Sequence, residues 1–281
     1  MRVRVVTDSS SSVPDEYLVR LGIGEALASV NFGSESYLAK AELTLDEFYE
    51  RLETADKLPT TSQPTPQQFA HAYERAAAEG ADEIVAVCVS SALSGTLNSA
   101  VIAAEMASIP VHVWDTRHIS MASGFQAITA AELARDGHDS QTILEALAGI
   151  RDRIYMAFTP ANLRYIVASG RVPRLRGAVG DVLNIKPILT TVEGRLEPIA
   201  QVRSQRRAIE QILERLAVVL GDRPSRVALG HCRVPAEADR VWEAMRSRLN
   251  VVEVVQFDLG VVLASLAGPG LIGLGGYTLE G

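Results

Sequence analysis

The chain has 281 residues, of which 47% are apolar, so it can bury a substantial core and suits one large or two modest domains. Its 27 Lys and Arg against 34 Asp and Glu give a net charge of −7. That balance argues against general binding to nucleic acid or to anionic membranes, both of which require a basic face.

Val3–Val6 followed by Thr7-Asp8-Ser9-Ser10-Ser11-Ser12 reads as a strand ending in a hydroxyl-rich loop, and Pro14 opens a helix to about Leu21. The start has no signal-peptide apolar region or cleavage site, so a cytoplasmic location is expected. A strand is expected over Ile23–Val30. Residues 31–44 give no clear pattern, whereas Leu45, Phe48, Tyr49 and Leu52 fall at helical spacing, with Asp46 and Glu47 suited to the first turn.

Thr60-Thr61-Ser62-Gln63-Pro64-Thr65-Pro66 sets hydroxyls ahead of a helix over Pro66–Glu79. Free N–H groups at a helix start, together with hydroxyl donors, suit a small anion. Thr65 equally suits a plain N-cap there, with Pro64 stiffening the loop. Glu83–Val89 is a continuous apolar run, typical of a strand covered on both faces. It leads into Ser90-Ser91-Ala92-Leu93-Ser94-Gly95-Thr96 and a helix over Leu97–Ala107, a second anion-ready loop. Val111–Trp114 is a further strand, followed by helices near Ser123–Arg135 and Ser140–Arg151. This alternation predicts an α/β domain with a parallel sheet, whose loops share one edge and bring separate hydroxyls together.

Two successive helices break that rhythm, and a second domain is expected from about residue 154. The division is therefore 1–153, an N-terminal three-layer α/β domain with a mainly parallel sheet, and 154–281, a C-terminal two-layer α+β domain. Within the latter, a helix over Pro160–Ser169 stops at Gly170, and Ile185–Thr191, Glu193-Gly194 and Leu196–Ala200 form a hairpin. Ser204 caps a helix to Leu220; Arg226–Gly230, a helix over Ala236–Arg248 and a strand over Val251–Phe257 follow. Leu259–Leu279 has no charged residue, but its glycines would break a lone spanning helix. Two buried strands around a glycine turn are expected instead.

Few familiar catalytic patterns survive inspection. Gly268-Pro269-Gly270-Leu271-Ile272-Gly273 fits G-x-G-x-x-G literally, yet no helix former or acidic ribose partner follows it. Its glycines suit either a turn or close approach to a ligand. The phosphate-loop and G-x-S-x-G patterns are missing, the five histidines lack metal spacing, and Asp115 and His118 suit a structural pair on one loop. Cys88 and Cys232 lie in strand-like runs and read as buried reduced thiols. Nine basic residues against three acidic ones between Arg164 and Arg207 give that segment an excess of six positive charges, leaving the rest of the chain at −13. Such a patch suits phosphate groups or an acidic protein surface, or forms a solvated face.

Thr7-Asp8-Ser9-Ser10-Ser11, Thr61-Ser62-Gln63-Pro64-Thr65, Ser90–Thr96, Asp115 with Ser120–Gly124, Ser169-Gly170-Arg171-Val172 and Gly268-Pro269-Gly270 together resemble the DegV family over nearly the whole chain. The resemblance implies a lipid-binding carrier rather than an enzyme: it holds one long-chain fatty acid and presents the carboxylate to a fatty acid kinase. It implies a carboxylate site at Thr61, Ser62, Ser94 and Gly95, with Arg171 and Arg203 as contacts for phosphoryl transfer or for the partner, and no cofactor or metal. One departure stands out: the family pattern has His-Thr or His-Val before Gly-Pro-Gly, and this chain has Leu266-Ala267. Leucine cannot donate a hydrogen bond, which favours lipid binding over service to a kinase. The rival readings are a lipid-binding regulatory protein without a kinase partner, and a hydrolase using Ser10 or Ser94 with His118 or His231 as base.

Overall fold

The structure is a computed structural model that describes residues 2–175 and 185–279. Two compact units divide the chain: Met1–Asp152 with Gly260–Val262, and Arg153–Leu259 with Leu263–Gly281.

The first unit is a three-layer α/β arrangement. Its sheet has the order β2-β1-β6-β7, built from β1 (Val3–Asp8), β2 (Gly24–Ala26), β6 (Glu83–Cys88) and β7 (Val111–Asp115), all parallel. β6 is buried on both faces, as its unbroken run of apolar residues requires. On one face α3 (Pro66–Ala78) and α4 (Thr96–Ala104) pack Phe69, Tyr73, Ala76 and Ala100 against Val6, Ile84 and Ala86. α1 (Asp15–Leu21), α5 (Met121–Arg135) and α6 (Ser140–Arg151) supply the other layer, with α5 against β1 and β6. Ten of the fifteen residues of α5 are buried, and they are small or apolar apart from Gln126 and Ser123, which lets the helix lie close to the sheet.

A small antiparallel sheet, β4-β3-β5, completes this unit: β3 (Ser29–Phe32), β4 (Glu35–Leu38) and β5 (Thr60–Ser62), with α2 (Leu45–Thr54) between β4 and β5. Two expectations change here. The strand expected over Ile23–Val30 is two strands in different sheets, because Ser9 intervenes: its N–H donates to Ala26 O (3.1 Å), and its hydroxyl accepts from Ala28 N (2.9 Å). Thr60–Ser62, expected as loop, pairs with β3 as a strand.

The second unit has one six-stranded mixed sheet, β10-β9-β8-β13-β11-β12. Its strands are β8 (Tyr155–Thr159), β9 (Lys186–Val192), β10 (Arg195–Val202), β11 (Ser225–His231), β12 (Val251–Asp258) and β13 (Ile272–Thr278). Only β11 and β12 run parallel. α8 (Gln205–Leu220) and α9 (Pro235–Arg246) bury Ile212, Leu216, Val241 and Met245 against Val227, Leu229, Ile272 and Leu274. Ser204 caps α8 by accepting from Arg207 N (3.3 Å), and Gly170 closes α7 (Leu163–Ser169) in the left-handed region. Glu193 and Gly194 both have positive φ, the geometry of a tight hairpin turn that matches strand twist.

The tail differs from expectation. Val261–Ala267 is a helix, α10, and only Ile272–Thr278 is a strand. β13 lies between β8 and β11, where a Cβ at Gly275 would sit 2.8 Å from Tyr155 O and one at Gly276 2.8 Å from Arg226 O. The tail's glycines thus admit close neighbours on both sides of a central strand. No helix among the described residues is long and apolar enough to cross a membrane.

Candidate functional site

Asp8 organises the carboxyl edge of the parallel sheet. Fully buried at the end of β1, it accepts from Val89 N (2.8 Å) through one oxygen, and from Ser10 N (2.9 Å) and the Ser10 hydroxyl through the other. One side chain therefore ties the loops after β1 and β6. Burial pushes its carboxyl above the usual aspartate range, against the opposing effect of those donors. Asp115 acts similarly at the end of β7, accepting from the Ser91 hydroxyl (2.6 Å), Ser91 N (3.3 Å) and Arg117 N (2.9 Å). The Ser90–Thr96 loop is thus held to the ends of β1 and β7.

The two helix starts behind the hydroxyl stretches differ. At α3, Thr65 closes a capping box: its hydroxyl accepts from Gln68 N (3.3 Å), while Gln68 Oε1 accepts from Thr65 N (2.6 Å). The cap reading of Thr65 is the right one. At α4 the N-cap is Gly95, which offers no side-chain cap, and the nearby hydroxyls are Ser94 Oγ and Thr96 Oγ1, 2.8 Å apart. Thr96 N donates to Ser94 Oγ at 3.3 Å. The start of α4 therefore lacks the side-chain cap that closes α3, and its nearest hydroxyl, Ser94 Oγ, meets only the first helical N–H.

Gln63 brings the two stretches together. Its Nε2 donates to Ser99 Oγ (3.1 Å) on α4, and a Cβ added at Gly95 would lie only 2.7 Å from that same nitrogen. Gly95 is thus the residue that allows Gln63 to lie over the helix start, which ties the segment after β5 to α4. Thr61 pairs with Val30 in β5. Strand alternation sends Thr60 and Ser62 to the opposite face from Thr61, where Asn31 Nδ2 donates to Ser62 Oγ (3.0 Å). Gln63, two residues after Thr61 in the chain, therefore lies against Gly95, and Ser62 is engaged on the other side of the strand.

Sequence reasoning assigned no role to Gln63 or Asp8, and gave Asp115 only a structural pairing with His118, not its bonds to Ser91 and Arg117. A carboxylate closing a strand just before a run of serines was the available signal for Asp8 and, with Thr116 following, for Asp115. Nothing local marked Gln63, whose partner lies 36 residues away.

In the second unit, Gly268-Pro269-Gly270 forms a turn joining α10 to β13. Gly268 (φ +74°) and Gly270 (φ +86°) both lie in the left-handed region. A Cβ at Gly268 would meet the Tyr165 ring and one at Gly270 the Ala161 methyl, while Gln205 Nε2 donates to Gly270 O. The turn reading of these glycines therefore holds. Arg171, one residue past the Gly170 cap of α7, and Arg203, at the end of β10 just before α8, are both exposed and flank the two helices that touch this turn. Arg171 Nη1 donates to Ser169 O at 2.5 Å. Arg176 and Asp181 of the basic segment lie outside the described residues.

The serines named for nucleophilic chemistry have other partners: Ser10 donates to Asp8 and Ser94 bonds Thr96. His118 Nε2 is 3.0 Å from Arg151 O, and burial holds this imidazole below the usual histidine range. His231 Nδ1 lies 3.5 Å from Asp258. Among the described residues no group of His, Cys, Asp or Glu could hold a metal ion. Cys88 and Cys232 are both buried, and burial pushes the Cys88 thiol well above its ordinary value.

Fold and site together define a two-unit α/β protein whose first sheet gathers hydroxyls and one uncapped helix start at its carboxyl edge. Residues 2–278 match the family model described as uncharacterised protein, DegV family, and the chain belongs to the DegV family. A DegV domain-containing protein of Streptomyces coelicolor is 34% identical, over 97% of each chain. The structure is similar to that of a DegV family protein from Thermus thermophilus reported as fatty acid binding, at 33% identity and a TM-score of 0.89, over 99% of this chain and 100% of that one. It is similar also to a DegV lipid-binding protein from Thermotoga maritima, at 30% identity and a TM-score of 0.90, over 100% of this chain and 99% of that one.

Proposed function

We propose that this protein binds a long-chain fatty acid, with the carboxylate received by the Thr61 and Ser94 hydroxyls and by the uncapped first turn of α4 at Gly95. The observation that carries this reading is the Gln63 clasp, which draws the Thr61 segment to the one helix start of the two that lacks a side-chain cap. A carboxylate gains from directed hydroxyl donors and from the positive end of a helix. Each buried methylene of the tail adds about 0.8 kcal/mol, so a long chain binds tightly with few polar contacts. Solved relatives reported to bind fatty acids support the same ligand class. Ser62, held by Asn31, shapes the strand that presents Thr61.

In this reading the protein is a carrier, not an enzyme, and it presents the acyl carboxylate to a fatty acid kinase, with Arg171 and Arg203 meeting the phosphoryl group or the partner. Leu266 and Ala267 favour a second form of it, a lipid-binding protein that serves a kinase poorly, because a donor to the acyl phosphate is missing. Mass spectrometry of an organic extract of the purified protein tests the ligand. About one fatty acid per chain is expected, since a filled apolar channel releases its ligand slowly. No stoichiometric lipid, together with failure to bind added fatty acid, refutes the proposal.

A further inference from the structure

The parallel sheet of the first unit has an open seam at the end away from the hydroxyl loops. β2 pairs with β1 only at Val6, Thr7 and Asp8, so Val3–Val5 have β6 on one side and no described strand on the other. A cleft of about 1000 Å3 fills the gap, walled by the C-terminal parts of α1, α3 and α5. Val3, Val5, Ile23, Ala76 and Ala131 give it an apolar floor. Six basic side chains line it, Arg2, Arg4, Arg20, Lys40, Arg75 and Arg135, against Glu25 and Glu79. That is an excess of four positive charges in a chain whose net charge is −7.

Part of this charge is already paired. Lys40 Nζ meets Asp15 (2.9 Å) and Glu25 (2.8 Å), and Arg75 meets Glu79 (3.0 Å). Arg4 is different. Its guanidinium reaches Glu79 only at 3.8 Å, its Nε is buried without a hydrogen-bond partner, and its side chain is 21% exposed. Gly22 (φ +64°) makes room for it, since a Cβ there would fall on Arg4 Nη1. On the same cleft, Arg20 stacks on the Tyr17 ring (4.5 Å), which leaves guanidinium edges available, and Arg135 reaches Asp136 only at 3.8 Å. The buried Arg4 Nε, a donor without an acceptor, costs free energy that an anion in the cleft would return.

We infer that this cleft is a second ligand site, for a phosphate monoester carrying an apolar group. Several guanidiniums lining one cleft suit a tetrahedral dianion with three acceptor oxygens better than a single carboxylate, and the apolar floor accounts for the ester group. The site is separate from that proposed for the fatty acid. At about 3.3 Å per residue, the length of β1 puts Val3 roughly 17 Å from Asp8.

The test is calorimetric titration of the full chain, saturated beforehand with oleate, with phenyl phosphate and separately with inorganic phosphate. Saturable binding of phenyl phosphate is expected, weakened about tenfold or more in Arg4→Met and also weakened in Arg135→Gln. Arg135 is exposed, so its variant tests the site even if Arg4→Met fails to fold. Thr61→Val with Ser94→Ala should leave this binding unchanged, which separates the cleft from the fatty-acid proposal. Absence of saturable phenyl phosphate binding overturns the inference. Equal affinity in the parent and in every arginine variant that folds does so too, and inorganic phosphate binding as tightly as phenyl phosphate overturns the assigned ligand class.

Discussion

Gly268→Ala is expected to destabilise the second unit for two separable reasons. The first is backbone: φ at this position is +74°, and an L side chain in the left-handed region costs roughly 1–2 kcal/mol. The second is packing: the new methyl would lie 2.6 Å from Tyr165 Cε2, closer than real carbon contacts allow, and forcing extra volume into a packed site costs roughly 1–3 kcal/mol. The sum is about 2–5 kcal/mol, and Tyr165→Ala in the same chain should remove only the packing part. Urea unfolding followed by circular dichroism on parent, both single variants and the double variant gives a coupling energy of about 1–3 kcal/mol on this account, with the backbone cost remaining. A Gly268→Ala protein within about 0.5 kcal/mol of the parent, or singles whose effects simply add, would refute it.

Thr61→Val combined with Ser94→Ala should weaken fatty-acid binding by roughly 1.5–3 kcal/mol per lost bond to the carboxylate while keeping the fold, and a titration showing parental affinity would place the head group elsewhere. Leu266→His with Ala267→Thr should raise acyl-phosphate formation by a fatty acid kinase with little change in bound lipid, and adding Arg171→Ala should lower it again; efficient turnover of the parent itself would count against the handicap assigned to Leu266. Asp8, whose folded-state pKa lies above its ordinary 3.8 because of burial, binds a proton more tightly folded than unfolded. Its contribution is therefore complete below 3.8 and fades as pH rises through the folded-state value, so parent stability relative to Asp8→Asn should fall as pH rises above 3.8; a flat difference would contradict the shift. Both thiols should resist alkylation until the chain unfolds, since Cys88 and Cys232 are fully buried, and rapid labelling of the native protein would disprove that.

Much of the chain was legible from local signals. The unbroken run Glu83–Val89, the helical spacing of Leu45, Phe48, Tyr49 and Leu52, the Ser204 cap, the Gly170 stop and the Glu193-Gly194 turn each encode their element within a few residues. Strand and helix alternation through residue 135 was enough for a parallel sheet, because parallel neighbours require such crossovers. The two loops rich in Ser and Thr were visible for the same reason: hydroxyls beside helix starts are a local pattern.

Tertiary structure decided the rest. Ile23–Val30 looks like one strand until Ser9, distant in sequence, captures Ala26 and Ala28 and divides it between two sheets. Val261–Ala267, a helix, was not legible as one, because a continuous apolar run has no periodicity to separate a buried helix from a buried strand. Which helix start carries a side-chain cap was settled by geometry as well: Thr65 closes α3, Gly95 leaves α4 uncapped, and Gln63 reaches across 36 residues to join them. The arginine-lined cleft exists only because β2 is too short to cover the first half of β1, a consequence of strand pairing that no window of sequence contains. Propensity and capping act over one turn of chain, so the sequence by itself determined the elements. Hydrogen bonds and packing between distant segments determined which side chains share a site.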